Sequence, residues 1–231
     1  MDMRIVILTG AGISAESGLR TFRDSDGLWE DHRIEDVATP EAFTRNPHLV
    51  QTFYNARRRT SRAAVPNLAH AALARLEAML PGEVMIVTQN VDDLHERAGS
   101  RNVLHMHGSL EGALCAACAH RWAAPAIMAV EEVCPACGAP AGRPDIVWFG
   151  EYPYHMEEIW NALRKAEIFV AIGTSGNVYP AAAFVQDAAR AGAYTIELNL
   201  EASATHSDFD ETRQGLATEI VPSWVEELLK R

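Results

Sequence analysis

The stretch Arg4-Ile-Val-Ile-Leu-Thr-Gly10-Ala-Gly12-Ile-Ser-Ala15 decides the fold. Its apolar, mostly β-branched run stops at Gly-x-Gly, which predicts a buried parallel strand that leads into a tight turn. Gly10 permits the turn, and the missing Cβ of Gly12 lets backbone N–H groups approach a pyrophosphate. The spacing Gly-x-Gly-x-x-Ala fits a dinucleotide-binding fingerprint, although the same pattern also occurs as a plain structural turn.

One part of the usual fingerprint is missing. In an ordinary dinucleotide-binding unit, an acidic residue about 20 positions further on follows a second strand and holds the ribose. Here residues 24–32 read Asp-Ser-Asp-Gly-Leu-Trp-Glu-Asp-His, a polar and turn-rich composition that predicts no strand. We therefore expect a dinucleotide-like phosphate to bind at the Gly-rich turn, but not in the manner of a dehydrogenase.

Length and composition are those of an ordinary globular enzyme. The chain has 231 residues, of which 48% are hydrophobic and 22% are charged. A net charge of −11 argues against a general binder of nucleic acid or anionic membrane. No segment resembles a signal-peptide core or approaches the roughly 20 apolar residues of a membrane span. We expect a cytoplasmic protein.

Alternating strands and helices predict an α/β fold with a Rossmann-like parallel sheet. After the first strand, apolar runs predict strands over Val84–Val87, Val103–His107, Ile168–Ile172 and Tyr194–Leu198. Helical patterns cover Asn67–Met79, Glu157–Lys165, Pro180–Arg190 and Ser223–Lys230. Because ligands of such sheets bind outside the carboxyl ends of the strands, the loops that follow the strands are the expected site.

Two segments interrupt this alternation. Residues 31–79 are predominantly helical, with breaks expected at Asn46-Pro and Val65-Pro, and residues 109–144 are rich in Ala, Cys and Pro. We predict a Rossmann-like dinucleotide-binding domain made of residues 1–30, 80–108 and 145–231. The helical insertion (31–79) and a zinc-binding insertion (109–144) are predicted to form a smaller domain.

The four cysteines have the spacing of a zinc site. Cys115-x2-Cys118 and Cys134-x2-Cys137 are two Cys-x-x-Cys turns, and two such turns can close a tetrahedron of thiolates. Four thiolates leave no open coordination position, so one structural Zn2+ is expected. Disulfides or a redox pair are the alternatives, and disulfides rarely persist in a reducing compartment.

Polar residues that could carry chemistry follow the predicted strands. The amide and carboxylate groups of Thr88-Gln-Asn-Val-Asp92 lie at a strand end, although they could equally cap the next helix. His105 and His107 are expected on one strand face, where a neutral histidine is suited to act as a general base. The extended segment Arg143–Glu151 suits pairing with a peptide, or is an ordinary edge strand.

Together these motifs resemble the sirtuins, the NAD-dependent protein lysine deacylases. The matching stretches occur in the family's order over nearly the whole chain. Any one of these motifs is a weak signal, but the complete set is highly specific. They are Gly10–Ser14, Glu16–Gly18, Phe22–Arg23, Thr88–Asp92, His107–Gly108, the four cysteines, Trp148–Glu151, Gly173–Ser175 and Leu198–Glu201.

The resemblance implies an NAD site and places the missing ribose contact in the loop Asn199–Glu201. The segment Ser17–Trp29 is implied to cover the cofactor. The implied NAD contacts are Gly10, Ala11, Gly12, Ser14, Glu16, Phe22, Arg23, Trp29, Gln89, Asn90, Asp92, Gly173, Thr174, Ser175, Asn199, Leu200, Glu201 and Ala217.

The implied reaction consumes NAD instead of reducing it. The carbonyl oxygen of an acylated lysine attacks the ribose carbon that bears nicotinamide, and His107 is the general base toward a ribose hydroxyl. Free lysine and O-acyl-ADP-ribose are the products. The acylated lysine of a protein substrate is implied to bind through Val147, Phe149, Gly150, Glu151 and Val178.

One pair of residues narrows the acyl group. Tyr54 and Arg57 share a helix face at i, i+3, although three consecutive arginines from Arg57 would alone read as a solvated face or a weak nucleic-acid patch. The pair resembles the Tyr-x-x-Arg signature of class III sirtuins, in which the arginine pairs with the distal carboxylate of succinyl- or malonyl-lysine. This implies a bacterial-type desuccinylase and deacetylase.

Three other functions fit parts of the sequence. An NAD-dependent oxidoreductase is disfavoured, since no Tyr has a Lys four residues later and the ribose acid is missing. A protein ADP-ribosyltransferase would share His107 and the NAD loops, but Tyr54 and Arg57 favour acyl recognition. A zinc-ribbon interaction module would not need the polar strand-end loops. We expect a monomer that acts on acylated proteins and binds neither nucleic acid nor membranes.

Overall fold

The structure is a computed structural model that describes residues 3–20, 28–29 and 32–230. Its strands are β1 (Ile5–Thr9), β2 (Leu28–Trp29), β3 (His32–Arg33), β4 (Val84–Thr88), β5 (Val103–His105), β6 (Gly108–Cys115), β7 (Arg121–Ala123), β8 (Gly142–Ile146), β9 (Ile168–Ile172), β10 (Tyr194–Asn199) and β11 (Glu211–Gln214). Its helices are α1 (Ile34–Val37), α2 (Pro40–Arg45), α3 (Pro47–Ala63), α4 (Leu68–Met79), α5 (Leu94–Ala98), α6 (Met156–Leu163), α7 (Phe184–Arg190) and α8 (Ala217–Leu228). None of the helices in these ranges has the length and apolarity needed to cross a membrane.

Six strands form a parallel sheet in the order β11-β10-β9-β1-β4-β5. The chain leaves β1 toward β4 and β5 on one side and later returns to build β9, β10 and β11 on the other. The order therefore reverses at β1, beside β9, and a crevice for a ligand is expected outside the strand ends at this point. The predicted Rossmann-like sheet is confirmed.

The first strand joins two hydrophobic cores, one on each face of the sheet. Ile5 and Ile7 enter a core with α4 and α8, whereas Val6 and Leu8 enter a core with α6 and α7. This alternation is the two-residue period of a strand, and it explains why the whole run is apolar. Burial of each such side chain stabilises the fold by about 1.5–3 kcal/mol.

The helices of residues 34–79 begin and end at local sequence signals. Thr39 accepts a hydrogen bond from the Ala42 N–H at 3.0 Å, and Asn46 accepts one from the Leu49 N–H at 3.1 Å. Asn67 caps α4 in the same way, with its side-chain oxygen 2.9 Å from the Ala69 nitrogen. The breaks predicted at Asn46-Pro and Val65-Pro are confirmed, since each Asn cap stops one helix from running into the next.

The cysteine-rich segment forms a separate antiparallel sheet in the order β7-β6-β8. Its own core is small, so it depends on contacts with α3. The fully buried Arg58 of α3 donates from Nε to the Leu110 carbonyl at 2.6 Å, and Asn55 bonds both backbone groups of Met128 at 2.9 Å. The boundaries of the two domains stay a prediction.

Some predicted elements differ from those observed: the helix predicted over Pro180–Arg190, for example, begins at Phe184. Helix α8 begins at Ala217 and not at Ser223, because the Glu16 carboxylate accepts hydrogen bonds from the Thr218 N–H at 3.0 Å and hydroxyl at 2.6 Å. These bonds stabilise the first turn of a helix that contains Pro222.

The expectation of no strand in residues 24–32 is wrong, since β2 pairs with β3. Each of these strands has only two residues, so no alternation of apolar and polar residues marks them in the sequence. The β2–β3 pair forms a separate sheet from the six-stranded parallel sheet.

The predicted strand over Val103–His107 also ends early, at His105. His107 lies in the turn that connects β5 to β6, where Gly108 adopts a φ of +81°. A Cβ on this glycine would lie 2.1 Å from the Asp145 carbonyl oxygen, so only glycine lets the chain turn here against β8. His105 and His107 are therefore not neighbours on one strand face.

Candidate active site at the strand ends

A cavity of about 740 Å³ lies at the carboxyl ends of the parallel strands. It is lined by most of the residues predicted to bind NAD, namely Gly10, Ala11, Gly12, Ser14, Glu16, Gln89, Asn90, Asp92, Gly173, Thr174, Ser175, Asn199, Leu200 and Ala217. The predicted catalytic and substrate residues line it too: His107, Tyr54, Arg57, Val147, Phe149, Gly150, Glu151 and Val178. The structure thus brings the predicted NAD-binding, catalytic and substrate-binding residues together around one cavity.

Four predicted contacts are not placed in this lining. Glu201 is exposed and does not line the cavity, whereas its neighbours Asn199 and Leu200 do. Phe22 and Arg23 lie outside the described residues, as does the side chain of Trp29. The roles of these four residues stay predictions.

The turn after β1 and the turn after β9 contact each other through their backbones at glycine residues. The Gly12 N–H donates to the Gly173 carbonyl at 2.9 Å, and Gly173 has a φ of +62°. A Cβ on Gly10 would lie 2.7 Å from the Gly173 oxygen, and one on Gly12 would lie 2.7 Å from the Gly173 Cα. The two turns form a cradle that side chains would fill, which suits the close approach of a pyrophosphate.

Beside this cradle, Ser14, Asn90 and Asp92 form a hydrogen-bonded cluster. Ser14 Oγ lies 3.2 Å from Asp92 Oδ2, and Asn90 Nδ2 donates to Ser14 Oγ at 3.2 Å and to the Gly10 carbonyl at 3.1 Å. Burial raises the pKa of Asp92. Asp92 also accepts from the Leu94 N–H at 3.2 Å, so part of the helix-capping alternative holds. Asn90 does not cap, because its amide holds the Gly-rich turn.

A second layer of buried polar groups supports this cluster and was missed from the sequence. Thr9 Oγ1 lies 2.8 Å from Thr88 Oγ1 and 3.0 Å from His95 Nε2, and His70 Nε2 lies 3.4 Å from Ser14 Oγ. Burial lowers the pKa of His70 to about 4 and that of His95 well below its ordinary value. Both rings are therefore neutral at pH 7. No local pattern marks them, because the contacts join positions 56 to 86 residues apart.

His105 and His107 occupy opposite electrostatic environments. His105 bonds Glu96 Oε1 through Nε2 at 2.7 Å and the Asn90 carbonyl through Nδ1 at 3.1 Å. Burial opposes protonation of His105, but these bonds and the Glu96 charge raise its pKa. Burial lowers the pKa of His107, although its bond to the Gln89 carbonyl acts the other way.

The tautomer of His107 follows from its partner. Nδ1 lies 3.1 Å from the Gln89 carbonyl oxygen, which can only accept, so Nδ1 carries the proton. In the neutral ring, Nε2 then has a lone pair that can take a proton. The geometry and the lowered pKa together suit a general base at neutral pH.

Tyr54 and Arg57 lie on α3 at the cavity wall. Tyr54 is fully buried, and burial raises its pKa, so the phenol stays protonated. The nearby Arg57 charge acts on the same hydroxyl in the opposite direction. A phenol donor and a guanidinium that line one cavity can together bind a carboxylate.

The four cysteines form a cluster that fits zinc. Their sulfur atoms all lie within 4.8 Å of one another, and Cys115–Cys137 and Cys118–Cys134 are each 3.7 Å apart. Zn–S bonds of about 2.3 Å in a tetrahedron place sulfurs about 3.8 Å apart. The distances are too long for disulfides, whose sulfurs are about 2.05 Å apart. None of the four lines the cavity, so the metal would stabilise the fold.

Comparison with known proteins gives consistent matches. The protein-family model described as Sir2 family matches residues 10–180 of this chain. The NAD-dependent protein deacylase of Bdellovibrio bacteriovorus is 57% identical over 237 residues, covering 100% of both chains. The enzyme of the same name from Salmonella typhimurium is 55% identical over 230 residues, covering 98% of this chain and 84% of its own.

Solved structures agree in fold over nearly the whole chain. A crystal structure of a Sir2 homolog–NAD complex has a TM-score of 0.90 and 38% identity, covering 98% of this chain and 90% of its own. A Sir2–p53 peptide–NAD+ structure has a TM-score of 0.82 and 28% identity, covering 99% and 94%.

The glycine cradle predicts a specific sensitivity. Gly173→Ala should weaken the binding of ADP-ribose by about tenfold or more, since the new Cβ lies 2.5 Å from the Ile13 nitrogen and pushes the two turns apart. Gly192→Ala is the matched control, because Gly192 also has a positive φ, of +94°, but its Cβ would meet nothing within 4 Å. Isothermal titration calorimetry compares both; equal affinities in the two variants would contradict the cradle.

Proposed function

The chain belongs to the Sir2 family, and we propose that it is an NAD-dependent protein-lysine deacylase that removes acetyl and succinyl groups. The acyl group passes to ADP-ribose, and nicotinamide is released. The observation that carries this proposal is the shared cavity, in which the glycine cradle, His107 and the Tyr54–Arg57 pair lie together. A reaction that joins a dinucleotide to an acylated lysine needs these three parts in one place.

The residues of the cradle suit the dinucleotide. Backbone groups of Gly10–Gly12 and Gly173–Ser175 would hold the phosphates, and Asn199, Leu200 and Ala217 would hold the adenosine part. Asn199 is already fixed, because its side chain donates to the Thr174 carbonyl at 2.7 Å. Bound NAD supplies an electrophilic ribose carbon and a nicotinamide leaving group. Gln89, Asn90 and Asp92 would surround that end.

His107 would act as the general base toward a ribose hydroxyl. Its Nδ1–H is held by Gln89, so Nε2 is the basic atom. Gln89 follows β4, and its own N–H donates to the Thr9 carbonyl at 2.9 Å. The base is therefore positioned by the same strand ends that bind the cofactor.

The acylated lysine would enter between two segments at the cavity mouth. One segment, Val147–Glu151, follows β8, and the other, with Val178, follows β9; both line the cavity. An extended peptide laid between them would direct its lysine toward His107 and its acyl group toward α3. Acylated proteins are thus the proposed substrates.

The acyl class rests on Tyr54 and Arg57. The distal carboxylate of a succinyl group would pair with the guanidinium and accept a hydrogen bond from the phenol. ADP-ribosyl transfer to a protein uses the same cofactor site but has no need of a carboxylate pocket. We therefore favour deacylation. Action as a monomer in the cytoplasm belongs to the same proposal. So does the absence of nucleic-acid binding, which the net charge of −11 supports.

Mass spectrometry of acetyl- and succinyl-lysine peptides tests the function directly. Incubation with protein and NAD should remove both acyl groups and yield O-acyl-ADP-ribose, and omission of NAD should abolish turnover. His107→Ala should reduce turnover by about a hundredfold or more while ADP-ribose still binds. NAD hydrolysis without loss of either acyl group, or ADP-ribose found attached to protein, would refute deacylation.

The environment of His107 predicts a pH profile. Burial lowers its pKa, so the ring loses its proton below the ordinary histidine value of about 6.5. A general base works in its deprotonated form, so kcat/KM should rise with pH below this value and reach a plateau by neutral pH. Measurement of kcat/KM from pH 5 to 8 checks this, and an acid limb centred above 6.5 would contradict it.

Loss of the Arg57 charge should separate the two activities. Arg57→Met should lower kcat/KM for a succinyl-lysine peptide by about ten- to a hundredfold, because a hydrogen-bonded charge partner of the carboxylate is lost. Deacetylation should fall far less. Arg59→Met, an exposed arginine of the same helix, is the control and should change neither. Equal loss of both activities in Arg57→Met would show that the acidic-acyl assignment is wrong.

A further inference from the structure

The side chain of Trp148 connects the peptide-binding segment to the acyl-binding helix. Its indole Nε1 donates a hydrogen bond to the Tyr54 hydroxyl at 3.0 Å. Trp148 is 2% exposed and Tyr54 is fully buried, so this contact is shielded from water. The backbone of Trp148 lies between Val147 and Phe149, two of the proposed peptide contacts.

The chemistry of the two groups fixes the direction of this bond. An indole N–H can only donate, whereas a phenol has one proton to donate and lone pairs to accept. The Tyr54 oxygen must therefore accept from Trp148, and its own proton is not used in this bond. The bond orients the hydroxyl so that its proton points away from the indole. Burial keeps that proton on the oxygen, because it raises the pKa of Tyr54.

The indole itself is held by contacts to its ring and by a hydrogen bond to its backbone. The Arg143 guanidinium lies 3.9 Å from the ring centroid, and the Phe43 ring lies 5.3 Å away. Arg143 forms two hydrogen bonds with Glu151, at 2.7 and 2.8 Å, and Glu151 Oε2 accepts from the Trp148 N–H at 2.8 Å. This arrangement leaves the indole little freedom to turn, so the position of its N–H is defined before a substrate binds.

We propose that Trp148 is a positioning residue for acyl selectivity, which orients the Tyr54 hydroxyl toward the distal carboxylate of an acidic acyl-lysine. This inference rests on the proposed function of the Tyr54–Arg57 pair. Trp148 itself lines the cavity, and in this role it acts through its hydrogen bond to Tyr54. Because its backbone belongs to the peptide segment, Trp148 also fixes the distance between the bound lysine and the acyl-binding helix.

A purely structural role makes a different prediction. Trp148 belongs to the apolar core formed by α1, α2, α3 and the ends of β6 and β8. If the indole only fills this core, its replacement affects acetyl and succinyl substrates alike. If its N–H orients Tyr54, the effect falls on the substrate that has a carboxylate.

The test is Trp148→Phe, which keeps an aromatic ring and removes the N–H. We expect the ratio of the KM for a succinyl-lysine peptide to the KM for the matched acetyl-lysine peptide to rise about three- to tenfold, the loss that one hydrogen bond accounts for. The Kd of the succinyl peptide, measured by calorimetry without NAD, should rise by a similar factor. Val37→Ala is the control: it loosens the same apolar core but removes none of the ring contacts or hydrogen bonds described for Trp148, and the ratio should stay unchanged.

A double-mutant cycle with Tyr54→Phe isolates the pair. In the Tyr54→Phe background, Trp148→Phe should no longer change the KM ratio, because the hydroxyl that it orients is gone. An unchanged ratio in the single variant, or the same ratio change in both backgrounds, overturns the inference. If the Trp148 inference fails in this way but Arg57→Met still lowers desuccinylation more than deacetylation, the proposed function remains supported without it. If the unmodified protein does not remove succinyl groups, both fail.

Discussion

The contact between the Gly10–Gly12 turn and Gly173 is the constraint on which the site depends. It lies where the strand order reverses, between β1 and β9, and it closes the floor of the crevice there with backbone atoms alone. A side chain at any of the three glycines would meet backbone within 2.5–2.8 Å. The other parts of the site are arranged around this floor. Asn90 donates to the Gly10 carbonyl, and Asn67, which caps α4, donates to the Ile13 carbonyl at 2.8 Å.

The two halves of the cavity come from different parts of the chain. The dinucleotide side is built from strand ends of the parallel sheet, whereas the acyl side comes from α3 and the segment after β8. The acyl side depends on the cysteine-rich sheet: Gln51 of α3 donates to the Gly142 carbonyl at 3.1 Å, and Arg58 to the Leu110 carbonyl. A metal bound by the four cysteines would therefore support the position of Tyr54 without lining the cavity.

Features with a local cause could be predicted from the sequence. The parallel strands, the glycine turn, the Asn caps and the paired Cys-x-x-Cys turns each follow from a short run of residues, and all are present. Features that need distant contacts could not. The extent of α8 depends on Glu16, about two hundred residues away in the chain, and the tautomer of His107 depends on Gln89. The role of Glu201 in ribose binding stays a prediction, since Glu201 is not among the residues that line the cavity.

This separation has a consequence for how selectivity can change. His107, its partner Gln89 and the glycine cradle share no hydrogen bond with Tyr54, Arg57 or Trp148 among those described. A substitution of one of these three side chains therefore removes no described hydrogen bond to the base or to the glycine cradle. The Trp148–Tyr54 bond is the link on the acyl side that also reaches the peptide segment. Selectivity for the acyl group and the alignment of the peptide are consequently coupled to each other, and the peptide segment also reaches the base, because the Val147 N–H donates to the His107 carbonyl at 2.9 Å.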